Sequence, residues 1–147
     1  MVQRRSRPAR GLASLLKRSL ALLLLQAAAL PASASQRCPG AETTLAMREC
    51  LDQLLQQSDR VLARELNGIA SEAGGGAGAS FARIWRAAAE GSFGGADPAQ
   101  QLRRYQEQRR RICLYSNSLS LQGSGFGSFV LACELDLNDA LLRQIRS

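Results

Sequence analysis

The chain has 147 residues, 46% hydrophobic and 21% charged, with 19 basic residues against 12 acidic and a formal charge of +7. It contains no histidine, which excludes Ser-His-Asp and Cys-His nucleophilic machinery and any histidine-based metal site. The positive total invites a nucleic-acid reading, but the distribution of that charge argues against it.

Arg4, Arg5, Arg7, Arg10, Lys17 and Arg18 fall within the first 34 residues, which hold no acid. This basic stretch leads into the apolar run 20–30, then Pro31 and the small-residue site Ala32-Ser33-Ala34. Basic region, apolar region and A-x-A site in that order form a secretory signal. The apolar run is shorter than the roughly 20 residues needed to span a bilayer, and Ser35-Gln36-Arg37 ahead of Cys38 is not a lipobox. Residues 1–34 are therefore read as a signal peptide and 35–147 as a periplasmic or secreted domain with no membrane contact after cleavage. Without the leader, 13 basic residues face 12 acidic ones, a net charge of about +1. The only lysine leaves with it, so Ser-Lys catalysis is excluded as well.

From a cap at Thr43 or Thr44 to about Ala73, Met47, Leu51, Leu54, Leu55, Leu62, Leu66 and Ile69 recur mostly at three, four or seven residues, which predicts one long amphipathic helix. The stretch GGGAG, residues 74–78, ends it, because glycines disfavour a regular element and suit a mobile connection. A short helix follows from Ser80 as cap to Gly91 as stop, with Phe81, Ile84, Trp85 and Ala88 docking an aromatic edge on the core. The glycine-rich insertion spans about 74–97.

Asp97 as cap with Pro98 at the first position predicts a third helix to about Tyr115. Its apolar stripe is Leu102, Tyr105, Ile112 and Cys113, interrupted by Arg109. Glu107 stands three or four residues from Arg103, Arg104, Arg110 and Arg111, so these arginines read as a solvated face and nucleic acid is not an expected partner. Residues 114–128 read as a flexible loop, FVLAC as either a strand or a helical turn, and Asn138 as the cap of a short terminal helix carrying Leu141, Leu142 and Ile145. The fold class expected is all-α: a small disulfide-bonded helical bundle of three to four helices with glycine-rich loops.

In an oxidising compartment Cys38, Cys50, Cys113 and Cys133 are expected to form two disulfides. Three connectivities exist, and short loop closure favours Cys38 with Cys50 and Cys113 with Cys133. Each bridge would add about 3 kcal/mol by chain entropy. No cysteine pair has C-x-x-C spacing, so neither a metal nor a cofactor is expected. Arg109, on the apolar stripe, needs an inward carboxylate. Asp59 stands four residues after Leu55 and three before Leu62, at the edge of the first helix's packing stripe, so the two are predicted to pair.

Met47 and Cys50, Asp59 and Leu62, Tyr105, Arg109 and Cys113, then Gly123, Ser124 and Cys133 together resemble the LprI-type lysozyme inhibitor family. Tyr105 stands where that family has Trp, Ala63 and Leu66 replace its Asn and Tyr, Arg110 replaces an acid, Leu141 an Arg, and Asn138 takes the place of a capping Thr. The resemblance implies a small exported, helical, cysteine-bridged domain. It implies a non-catalytic module that occludes a lysozyme or another envelope-associated protein. The alternative is a structural or envelope-interaction domain without inhibitory activity. The candidate contact is the segment Gly123, Ser124, Gly125 and Phe126, with Phe126 at the tip of loop 123–128 as anchor and a serine hydroxyl to meet catalytic carboxylates. Glu134, Asp136 and Asp139 form the one dense acid cluster. They are read as helix-start acids rather than a glycosidase pair or an EF-hand, and no enzyme is expected.

Overall fold

The computed structural model describes residues 34–147; the leader assigned above lies outside them apart from Ala34. An opening turn, Ala34–Arg37, is followed by four helices: α1 (Thr44–Ser71), α2 (Ala79–Ala88), α3 (Pro98–Ser116) and α4 (Phe126–Ile145). The described residues include no strand, and the fold is the expected all-α, disulfide-bonded one.

The helix starts follow local chemistry. Thr43 is extended and its hydroxyl accepts from the Ala46 N–H at 3.1 Å, satisfying one of the free donors at the start of α1. Asp97 does the same for Ala99 at 3.0 Å, with Pro98 at a position that needs no donor.

Helices α1, α3 and α4 pack on one another as a three-helix bundle. One end of its core is Leu51 and Leu55 of α1 against Leu131 and Leu135 of α4, closed by Cys38. The Cys38–Cys50 disulfide ties the segment after the opening turn to α1, and Cys113–Cys133 ties α3 to α4, both as expected. Arg37 adds a polar tie, donating to Asp136 at 2.6 Å and Asp139 at 2.9 Å.

Several expectations fail in informative ways. The glycines at 74–76 do not form an open connection: α1 runs on into a π-helical turn, Glu72–Gly76, closed by the Ala77 N–H on Glu72 O at 2.9 Å. Local backbone bonds carry the chain past the glycines while Ala73 is buried. The break comes at Gly78, whose φ of 94° suits glycine and which, in place of Ser80, is the cap of α2. Gly91 does not stop α2 either. It lies within a second π turn, Ala89–Phe93, which ends at left-handed Gly94 (φ 73°).

Helix α2 packs chiefly on the two π turns that flank it. It buries Ala82 and leaves Phe81 and Ile84 48% and 67% exposed, the reverse of the predicted docking face, because small residues seat the helix close to those turns. Trp85 and Ala88 are half-buried. On α3, Ile112 is exposed rather than part of the stripe. At 100° per residue it lies about 60° from Arg109 and 100° from Cys113, on the far side of Arg109 from the arc that the two share.

The largest revision concerns the C-terminal third. FVLAC is helical, and α4 is one continuous helix of 20 residues. Val130, Leu131, Glu134, Leu135, Asn138 and Leu142 are buried along it, a helical period that joins the two pieces read separately. Asn138 is thus a buried mid-helix residue and not a cap.

Candidate functional site

The bundle encloses a polar cluster to which α1, α3 and α4 all contribute. Arg109, 4% exposed, donates from one terminal nitrogen to Asp59 Oδ1 at 2.5 Å and Asn138 Oδ1 at 2.6 Å, and from the other to Asp59 Oδ2 at 3.2 Å. Its Nε makes no hydrogen bond but lies 3.6 Å from Glu134 Oε1, an electrostatic contact. Its guanidinium carbon sits 5.6 Å from the centre of the Tyr105 ring, within cation–π range. The predicted Asp59–Arg109 pair is present, and its planar fork meets both carboxylate oxygens.

Asp59 also accepts from Asn138 Nδ2 at 2.7 Å and Gln106 Nε2 at 2.8 Å, and Asn138 reaches Ser58 Oγ at 3.1 Å. Burial pushes the Asp59 carboxyl up, but the bonds from Arg109 and Asn138 and the Arg109 charge outweigh it and hold the group below the ordinary carboxylate value. For Arg109, burial opposes the charge, and the bond to Asp59 more than restores it. Sequence reasoning missed Gln106 and Ser58 and gave Asn138 the role of a cap. The signal for Asn138 was its spacing, four residues after Glu134 on the helical face that carries Leu135 and Leu142.

The acid cluster separates. Glu134, 2% exposed, faces Arg109 and Arg110, whereas Asp136 and Asp139 serve Arg37. Its members are counter-ions for arginines, not a carboxylate pair across a cleft, and among the described residues no His, Cys, Asp or Glu group is arranged to hold a metal.

The solvated reading of Arg110 needs correction. Glu107 pairs with Arg111 at 2.5 Å, while Arg110, itself half-exposed, reaches Glu134 at 3.1 Å. Arg110→Ala should therefore lose about 1–2 kcal/mol, since it strips a hydrogen bond from a buried carboxylate. Arg111→Ala, which breaks an exposed pair, should lose under about 0.5 kcal/mol. Urea denaturation of the two variants checks the contrast, and equal losses would refute the role given to Arg110.

The second candidate is the segment closed by Cys113–Cys133. From Ile112 to Cys133 the chain carries no charged residue, in a protein that is 21% charged. Both ends are pinned. At the entry, Asn117 Nδ2 and Ser116 Oγ donate to Cys113 O at 2.9 and 3.2 Å. At the exit, Gly123 N–H donates to Ser120 O at 2.9 Å and Phe126 N–H to Gly123 O at 3.1 Å. Between them a 3₁₀ turn, Ser118–Ser120, leaves Leu119 fully exposed and Leu121 63% exposed, and Tyr115 in the last turn of α3 is 78% exposed.

Of the predicted contact residues, Gly123 and Ser124 are at the surface, while Gly125 and Phe126 are half-buried. Phe126 is the first residue of α4, not the loop tip. The Phe129 ring lies over Gly125, where an added Cβ would come within 3.2 Å of it. The apolar tip is Leu119 and Leu121 instead, because the tight turn directs them outward. No protein-family model, no curated protein and no solved structure matches the chain.

Proposed function

We propose that the protein is an exported, non-catalytic binding module that seats the Cys113–Cys133 loop in the cleft of a partner protein, a lysozyme being the partner class its family resemblance suggests. One observation carries this reading: a fully exposed Leu119 at the tip of a charge-free loop anchored at both ends by a disulfide. Exposed apolar groups on a stable scaffold mark contact surfaces. Anchoring both ends also lowers the ordering cost of binding.

The rest of the loop fits a saccharide-binding cleft. Ser116, Asn117, Ser118, Ser120, Gln122 and Ser124 supply neutral hydroxyl and amide groups, the kind of partners that sugar hydroxyls otherwise offer such a site. Neutrality also avoids the desolvation cost of buried charge. With a net charge near +1 outside the leader, association gains no electrostatic steering and depends on short-range fit.

Lysozyme turnover, measured with protein from the exported fraction and both disulfides verified, tests the reading. Wild type should inhibit, and Leu119→Ser should weaken inhibition about 30-fold, the effect of losing an interface hot spot. Wild-type protein that leaves turnover unchanged rejects a lysozyme as partner. Inhibition undiminished in Leu119→Ser rejects this loop as the contact.

A further inference from the structure

Helices α1 and α4 run parallel. Leu51 and Leu55 pack with Leu131 and Leu135, Asp59 meets Asn138 and Glu65 meets Arg146, in the same order along both helices. Their N-termini therefore lie side by side. We infer that the cavity between these two ends is a binding site for a small aliphatic carboxylate, its chain against the apolar wall and its head on the helix starts.

The cavity holds about 400 Å³, within the range of small-molecule sites. Ala41, Met47 and Phe129 supply its apolar wall, and Thr44, Gly125 and Ser128 line it from the first turns of α1 and α4. An aliphatic chain fits such a wall, and the polar end decides what the chain must carry.

At that end the donors lack acceptors. Ser128 is 6% exposed, and among the described residues its hydroxyl makes no hydrogen bond. The other buried polar side chains, Arg109, Glu134 and Asn138, are all partnered, and a buried polar group left without a partner calls for one. In the same turn the Phe126 and Phe129 N–H groups donate to Gly123 O and Gly125 O, while those of Gly127 and Ser128 have no acceptor among the described residues.

The electrostatics select an anion. Two parallel helices bring their positive ends together, which a negative group relieves. Neither first turn contains an acid. Arg48 lies against Gly127, its guanidinium carbon 3.8 Å from where a Cβ would stand, a cation at a helix end that disfavours it. Glu42, ahead of the α1 cap, is exposed and does not line the cavity. Glu42 cancels Arg48 in formal charge, so the head is held by aimed donors rather than by net charge. Cleavage after Ala34, where the sequence places it, takes one methyl from the wall and brings the Ser35 ammonium to the rim.

Octanoate is the probe. Titrated into protein from the exported fraction, it should shift the amide resonances of Gly125, Gly127 and Ser128 and the methyl of Met47. Acetate, the head without the chain, and 1-octanol, the chain without the head, should each bind at least about tenfold more weakly. Ser128→Ala should also bind octanoate about tenfold more weakly, while its Tm does not fall, because the hydroxyl has no partner to lose in the free protein. Thr44→Trp, at an exposed position on the rim, should block the cavity and abolish the shifts. The proposal is overturned if octanoate shifts none of these resonances, if Ser128→Ala binds it like wild type, or if octanol binds as tightly as octanoate. Equal binding of acetate would reduce the site to an adventitious ion at a helix end and overturn it too. Leu119→Ser should bind octanoate as wild type does, which separates this site from the proposed inhibitory loop.

Discussion

Asp59→Ala should destabilise the fold by about 3 kcal/mol, the cost of leaving a buried charge without its main partner. The carboxylate accepts two bonds from Arg109, one from Asn138 and one from Gln106. Without it, buried Arg109 keeps Asn138 Oδ1 at 2.6 Å and the more distant Glu134, and the Asn138 amide keeps Ser58. Removing both ionic partners in Asp59→Ala/Arg109→Met should cost less than the two single losses added, with a coupling of about 1–3 kcal/mol. Urea titrations of the four proteins in the cycle measure it, and additive losses would show that the pair is not energetically coupled.

The same site sets a pH dependence. The Asp59 carboxyl is held below its ordinary value in the fold, so its contribution is fully present above the unfolded value of about 3.9 and is lost as pH falls through the folded one. Wild type should therefore lose more stability than Asp59→Asn on acidification from about pH 5 toward pH 2, and the two curves should converge at the acid end. Parallel curves would place the acid sensitivity in other carboxylates.

Cys113→Ala/Cys133→Ala should cost about 3 kcal/mol, the chain-entropy contribution of a bridge closing a loop of this size. Cys113 is fully buried at the α3–α4 contact, so the space left by its sulfur adds to the loss. The functional consequence is more specific. With α3 and α4 no longer joined at the base of the loop, residues 114–125 gain freedom, cleavage there by an added protease should accelerate, and the inhibition proposed above should fall with the preorganisation. Cys38→Ala/Cys50→Ala, which frees the segment after the opening turn, should lose comparable stability and leave loop protection and inhibition as in wild type. Limited proteolysis with mass mapping separates the two variants, and equal loop cleavage in both would mean that the bond does not hold the loop.

Features governed by neighbouring residues were legible in the sequence. The Thr43 and Asp97 caps follow from which side chains can accept a backbone N–H at a helix start. The two disulfides follow from short loop closure, and the Asp59–Arg109 pair from an arginine on one apolar stripe and a carboxylate at the edge of another. What tertiary structure decided is which partners those faces meet. Asn138 suits a cap or a buried amide equally well by type. The carboxylate of Asp59 and the guanidinium of Arg109, brought to it from two other helices, make the buried position favourable. The glycines at 74–76 favour an open chain by propensity, a preference of about 1 kcal/mol per residue, and a π turn that buries Ala73 overrides it. On α2 the helical period identified an apolar face, but close packing against the flanking turns selected the alanines and left Phe81 and Ile84 outside. In the loop, the sequence reading put Phe126 at the exposed tip, and the structure puts Leu119 there. The early start of α4 decided it, because a residue that joins a packed helix turns partly toward the core and the residue at the crest of the preceding turn remains in water.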